Sequence, residues 1–253
     1  MPLPSDQAIR RFLYKLYWGL EKRVVPGLRW SQEEFAEVLQ DELPARPVWL
    51  DLGCGRQMFP AWLPQEQERV LSRTRWVVGI DLDASSLRDH TAYPDKALAS
   101  VYQLPFASGS FDLVSANMVV EHLADAETAL SEIRRVLRPG GRFLFHTPNR
   151  DNVFLRIAAV MPEWLKVVCA WALENRVAED VFPTHYRLNR GPEIEKLARA
   201  AKYRPVGIRY LSSSAVTAAL GPLALPELLW LRWLRNGKRA SLRTNIIGLL
   251  EAD

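Results

Sequence analysis

Hydrophobic positions near the start of the chain recur every three or four places. Ile9, Phe12, Leu13, Leu16, Tyr17 and Leu20 are interleaved with Arg10, Arg11, Lys15 and Lys22, so residues 6–43 are read as helices. Ser31-Gln32-Glu33-Glu34 reads as a capping box ahead of Phe35, Val38 and Leu39. From Val48 to about Phe145 the pattern changes to short apolar runs separated by helix-spaced stretches. That alternation predicts an α/β fold with a doubly wound, mostly parallel sheet.

Beyond His146-Thr147-Pro148-Asn149 the pattern leaves the core. Residues 153–173 are apolar and aromatic, including Phe154, Ile157, Trp164, Val168 and Trp171, and Pro162 splits them into two short helices. Arg190-Gly191-Pro192-Glu193 opens a further helix, and Tyr203–Tyr210 reads as a returning strand. Three stretches of one domain follow: a helical lead-in over 1–44, a core over 45–150, and additions over 151–253.

The most informative stretch is Val48-Trp49-Leu50-Asp51-Leu52-Gly53-Cys54-Gly55-Arg56. An apolar strand ends in a carboxylate and meets two glycines that let the backbone turn tightly against a ligand. In open α/β sheets ligands bind at that carboxyl edge. The dinucleotide fingerprint requires a third glycine where Met58 stands, which argues against a dehydrogenase. The phosphate-cradling loop with its Gly-Lys-Ser/Thr end is absent too. A second strand, Trp76-Val77-Val78-Gly79-Ile80, ends in Asp81, whose two oxygens suit a pair of ribose hydroxyls.

Asp-Leu-Gly-Cys-Gly resembles the first motif of the class I S-adenosylmethionine-dependent methyltransferases. Leu104-Pro105-Phe106 with Ser110-Phe111-Asp112-Leu113-Val114, and Ile133 to Gly141, resemble later segments of the ubiquinone-biosynthesis-like members, in order. The resemblance covers roughly residues 45–150 and implies a Rossmann-like sheet of seven strands. Its implied cofactor is S-adenosylmethionine. Asp51, Gly53, Cys54 and Gly55 would lie at the methionine end, Asp81 on the ribose, and Leu82 against adenine. Ser100, where relatives often carry an Asp, and Val101 would meet the adenine edge. The backbone of Asn117, at the end of the fourth strand, would face the sulfonium. Residues 153–173 take the place of an acceptor lid. Asp51 and Asp81 are 30 residues apart, against about 20 in the usual unit. Residues 58–67 therefore read as an insertion: an enlarged surface turn, or a cover near the cofactor.

Glu121-His122 matches a Glu-His pair of the O-methylating relatives. Met118 replaces the additional Glu those relatives carry, so no metal is expected. His122, His146 and His185 are candidate bases for a hydroxyl acceptor, each with a structural reading beside it. A carboxylate acceptor would need none.

Composition adds bounds. Net charge is +4 without a long basic run, which weighs against, without excluding, a nucleic-acid substrate. Cys54 and Cys169 offer neither a disulfide framework nor a metal cluster, and Cys54 reads as a small packing residue. No leader is visible, and the expected location is cytoplasmic. Tyr210–Pro226 carries no charge, and Leu228-Leu229-Trp230-Leu231-Arg232-Trp233-Leu234-Arg235 follows. The uncharged run is 17 residues and broken by Gly221, Pro222 and Pro226, short for a spanning helix. It reads as core or homodimer packing, as the wall of an apolar pocket, or as a basic helix lying on a membrane. The function that fits best is methyl transfer to a small acceptor, apolar or lipid-linked. A nucleic-acid methyltransferase and a non-catalytic S-adenosylmethionine-binding protein are the alternatives.

Overall fold

The computed structural model describes residues 4–162, 183–213 and 217–253. Seven strands form one sheet: β1 (Val48–Leu52), β2 (Trp76–Asp81), β3 (Lys96–Leu98), β4 (Phe111–Asn117), β5 (Leu137–Pro148), β6 (Tyr203–Leu211) and β7 (Asn245–Ala252). Their order is β3-β2-β1-β4-β5-β7-β6. β1 pairs in parallel with β2 and β4, β2 with β3, and β4 with β5, while β7 runs antiparallel to β5. The order reverses at β1, where β2 lies on one side and β4 on the other, and a ligand crevice opens at such a reversal.

The chain divides into two compact units. One comprises Ser31–Pro148, Thr184–Arg209 and Asn245–Asp253; the other comprises Met1–Trp30, Asn149–Pro183 and Tyr210–Thr244.

In the sheet unit, the central strands read as continuous apolar runs because both faces are covered. Trp49, Leu50, Ile80, Leu113, Val114, Phe143 and Phe145 are buried. Helix α2 (Ser31–Glu42) buries Phe35, Ala36, Val38 and Leu39. Between β1 and β2 lies α3 (Pro64–Arg73), and after β2 comes α4 (Ala84–Asp89). Helix α5 (Ala126–Val136) buries Ala129, Leu130, Ile133 and Val136, one face at helical spacing. Leu130, Ile133 and Val136 each contribute about 1.5–3 kcal/mol of apolar burial. Phe145 lies opposite Gly248, where an added Cβ would come within 2.3 Å of the ring.

Two motif side chains fix the loops around this sheet. The Arg135 guanidinium donates to the carbonyls of Phe106 (2.7 Å) and Leu104 (2.9 Å) and pairs with Glu132, which also accepts from Leu104 N–H. Asp112 accepts from the N–H of Val48 at 2.8 Å and pairs with Arg138 at 2.6 Å, joining the starts of β1 and β5.

The other unit contains α1 (Pro4–Val24), α6 (Val153–Val160), a 3₁₀ segment (Ala218–Ala224) and a helix at Leu225–Leu234. With α7 (Gly191–Ala200) assigned to the sheet unit, that last helix is α8. Tyr17, Val25, Ala218, Ala224, Leu228 and Leu231 form its core. Among the described residues no helix is long and apolar enough to cross a membrane. The second half of the expected lid, with Trp164, Leu165, Val167, Val168, Cys169, Trp171 and Leu173, lies outside the described residues.

Candidate functional site

At the end of β1 the chain turns through two glycines in the left-handed region, Gly53 (φ 61°) and Gly55 (φ 55°). The two differ in surroundings. A Cβ on Gly53 would sit 2.5 Å from Val119 Cγ2, whereas a Cβ on Gly55 would meet nothing within 4 Å. Cys54 between them donates its N–H to Ile80 O at 3.0 Å, locking the turn to β2. Its buried sulfur packs on Gly79, where a Cβ would come within 2.6 Å of it. Burial pushes the thiol up to about 12, so Cys54 stays protonated and packs rather than attacks.

Asp51 lies inward. Its Oδ1 accepts from Ser115 Oγ at 2.7 Å and its Oδ2 from Tyr93 Oη at 2.9 Å. Ser115 Oγ in turn accepts from Trp49 Nε1 at 2.9 Å. The register explains the grouping: Asp51 pairs with Ser115, so both point to one face, and Trp49 shares it two residues back. Burial raises the Asp51 pKa to about 6; the Ser115 and Tyr93 hydroxyls pull it back, and Asp81 adds to the rise.

Asp81 ends β2. Its Oδ2 accepts the Gly55 N–H at 2.9 Å and its Oδ1 the Asp83 N–H at 2.9 Å. Each oxygen keeps a further lone pair. The next residue, Leu82, is 70% exposed, a bare apolar side chain beside the turn. Asp83 caps α4, accepting from the N–H groups of Ser85 and Ser86 and from both hydroxyls. Those bonds hold its carboxyl well below the usual range. His90, at the end of α4, places Nδ1 3.0 Å from Gly55 O, and burial lowers its pKa. Ser100 accepts weakly from Tyr102 N–H at 3.3 Å, and Val101 follows in the same half-exposed turn.

At the end of β4, Asn117 donates from Nδ2 to Gln32 Oε1 of α2 at 2.8 Å. Its Oδ1 lies 2.9 Å from His146 Nδ1, opposite it on β5, which makes that nitrogen the donor. His146 is buried, stacked on Phe35, and its Nε2 has no partner among the described residues. Burial depresses its pKa to about 3, so the ring is neutral. Phe59, from the 58–67 insertion, meets Phe35 edge-on at 6.5 Å. The insertion is therefore partly packed: Met58, Phe59 and Leu63 are buried, while Trp62 is exposed.

A 3₁₀ turn at Val120–His122 follows. Glu121 is buried, accepts from Thr147 Oγ1 at 3.0 Å, and is raised in pKa by that burial. Thr147 Oγ1 accepts from Asn189 at 2.6 Å. The Glu121 carbonyl accepts the N–H groups of His185 (2.7 Å) and Tyr186 (3.1 Å). That brings the His185 loop beside the turn carrying His122; His185 is exposed and His122 half-buried. Among the described residues no group of three or more His, Cys, Asp or Glu could hold a metal ion.

Sequence reasoning passed over Tyr93, Ser115, His90 and Gln32. Ser115 carried a signal, a polar residue in an apolar strand. The other three lie in a loop, a helix end and a lead-in helix, where polar residues are ordinary.

Residues 50–145 match a family model described as "Methyltransferase domain". A "Probable S-adenosylmethionine-dependent methyltransferase" of Mycolicibacterium smegmatis is 36% identical over 137 residues, 51% of this chain and 51% of that protein. A malonyl-[acyl-carrier protein] O-methyltransferase of Erwinia billingiae is 35% identical over 119 residues, 45% of this chain and 43% of that protein. The chain thus spans about half the length of these curated relatives. In fold it is similar to an S-adenosylmethionine-dependent methyltransferase from Mesorhizobium loti, with a TM-score of 0.53, 17% identity, and coverage of 87% of this chain and all of that one.

Proposed function

We propose that this chain, whose residues 50–145 match a methyltransferase-domain model, is a class I S-adenosylmethionine-dependent methyltransferase that transfers a methyl group to a small apolar or lipid-linked acceptor. The carrying observation is the junction of the two strand ends, where Asp81 holds the Gly55 N–H while Leu82 stands bare beside it. These residues fit the cofactor: a carboxylate with lone pairs to spare for hydroxyls, an apolar surface for a purine, and a glycine turn open at Gly55. When bound, S-adenosylmethionine supplies an electrophilic methyl group on a sulfonium.

In this reading Asp81 orients the ribose, Leu82 and Val101 bracket adenine, and Ser100 accepts one bond from its edge. The Gly53-Cys54-Gly55 backbone and Asp51 border the methionine end. Asn117 borders the sulfonium and is held there by Gln32 and His146. The protein's contribution is then positioning and exclusion of water. A neutral, buried His146 is a poor proton acceptor, since its cation would be stranded without solvent. Its role is to fix Asn117. For a hydroxyl acceptor the base is His122 or His185, both nearer water. For a carboxylate, the group that malonyl in one relative's name presents, none is needed.

An apolar acceptor is supported by the composition of residues 153–173. We place the work in the cytoplasm. The test is incubation with methyl-labelled S-adenosylmethionine and a cell extract, followed by phase separation. Label should appear in organic-extractable material. Label in nucleic acid instead would favour the alternative substrate class, and no label in any fraction would favour a binding protein.

A further inference from the structure

Charge is divided unevenly along the fold. The unit formed by residues 1–30, 149–183 and 210–244 holds 15 of the 33 Lys and Arg and 8 of the 29 Asp and Glu, a net of +7. The sheet unit holds the remaining 18 and 21, a net of −3.

Within the basic unit, α8 is apolar on two sides. Leu228, Leu231 and Leu234 face inward. On the opposite side Leu225, Leu229 (51% exposed) and Trp233 (41% exposed) follow at i, i+4 and i+8 and stand in solvent, preceded by Leu223 at 76%. Arg232, Arg235 and Lys238 are exposed around this stripe, and Arg239 lays its guanidinium 3.9 Å over the Trp233 ring. Among the described residues none of these four cations is paired with a carboxylate. The α8 carboxylate, Glu227, is buried and accepts from Thr217.

We infer that the outer face of α8 docks on an anionic lipid surface. A polyanion such as nucleic acid would meet the cations but leave Leu223, Leu225 and Leu229 in water. A neutral apolar partner would bury the leucines but leave four cations uncompensated. An anionic membrane interface satisfies both: leucines enter the acyl boundary, the indole sits at headgroup level, and Lys and Arg reach phosphates. The inference goes beyond the methyl-transfer reading and does not rest on it, because no residue of α8 takes part in the cofactor site.

The test uses the full chain with vesicles of phosphatidylcholine alone and of phosphatidylcholine mixed with phosphatidylglycerol. The chain should co-sediment with the anionic vesicles and much less with the neutral ones, and added salt should weaken binding. Leu229→Ser with Trp233→Ser should lower vesicle affinity at least tenfold. Far-ultraviolet circular dichroism and the thermal melt, measured on the same samples, should be unchanged and report that the chain is folded. Three results would overturn the inference. The wild type could ignore anionic vesicles. The double substitution could bind them as well as the wild type, leaving a plain polyanion patch. Or the wild type could self-associate without lipid and the double substitution abolish that, making the face a contact between copies.

Discussion

Tyr93 donates its phenol hydroxyl to Asp51 Oδ2 at 2.9 Å, 42 residues apart in sequence and fully inside the fold. Asp51, the acid of the most telling motif, is thus held by the loop after α4. Hydrogen bonds to charged groups contribute about 1.5–3 kcal/mol. Tyr93→Phe should lower unfolding free energy by that amount in denaturant titrations at neutral pH. It should also raise the Asp51 pKa further, narrowing the loss at acid pH. A loss that stays constant between neutral and acid pH would mean the phenol acts through packing alone.

Asp51 and His146 carry opposite pH dependences. The folded Asp51 pKa, about 6, lies above its ordinary value of 3.8, so the folded state binds more protons between them. Its contribution is fully present below about 4 and lost as pH rises through about 6. The folded His146 pKa, about 3, lies below the ordinary 6.5, so its contribution is present above 6.5 and lost as pH falls. Relative to wild type, Asp51→Asn should gain roughly 3 kcal/mol as pH rises from 4 to 7, and His146→Asn should lose a similar amount. Parallel stability–pH curves for wild type and both variants would contradict the assignment.

The two glycines of the turn should respond differently to alanine. Both pay the left-handed cost of about 1–2 kcal/mol. Only Gly53→Ala adds a clash, with Val119 Cγ2 at 2.5 Å. Gly53→Ala should therefore be the more destabilising in thermal melts, and Val119→Ala should recover part of its loss while doing nothing for Gly55→Ala. Equal losses without recovery would show that the backbone conformation alone matters.

Asp81 and its neighbour Asp83 separate binding from capping. Asp81→Ala should weaken S-adenosylhomocysteine binding at least tenfold, because charge-assisted bonds are worth about 1.5–3 kcal/mol each. Asp83→Ala should lower the melting temperature through the lost α4 cap and leave that binding nearly intact. Calorimetry on both variants decides it; the reverse pattern would put the cofactor carboxylate two residues later.

The sheet was legible because its central strands are buried on both faces and keep their apolar runs, and because Gly53 and Gly55 mark the turn. What holds the turn was not. Tyr93 and His90 reach Asp51 and Gly55 across the fold, and Gln32 reaches Asn117 over 85 residues. No local period records such partners. Leu104-Pro105-Phe106 and Arg135 were visible as separate motifs, but that one clamps the other appears only in three dimensions. The α8 segment was ambiguous because it serves both readings: Leu228 and Leu231 are core, while Leu229 and Trp233 face out.

The central claim is that the β1–β2 junction holds S-adenosylmethionine. Isothermal calorimetry of the wild-type chain against S-adenosylmethionine, S-adenosylhomocysteine and NAD tests it most directly. The account predicts saturable binding of the first two, lost together in Asp81→Ala, and none of NAD. Binding of NAD with neither sulfur compound bound would contradict it.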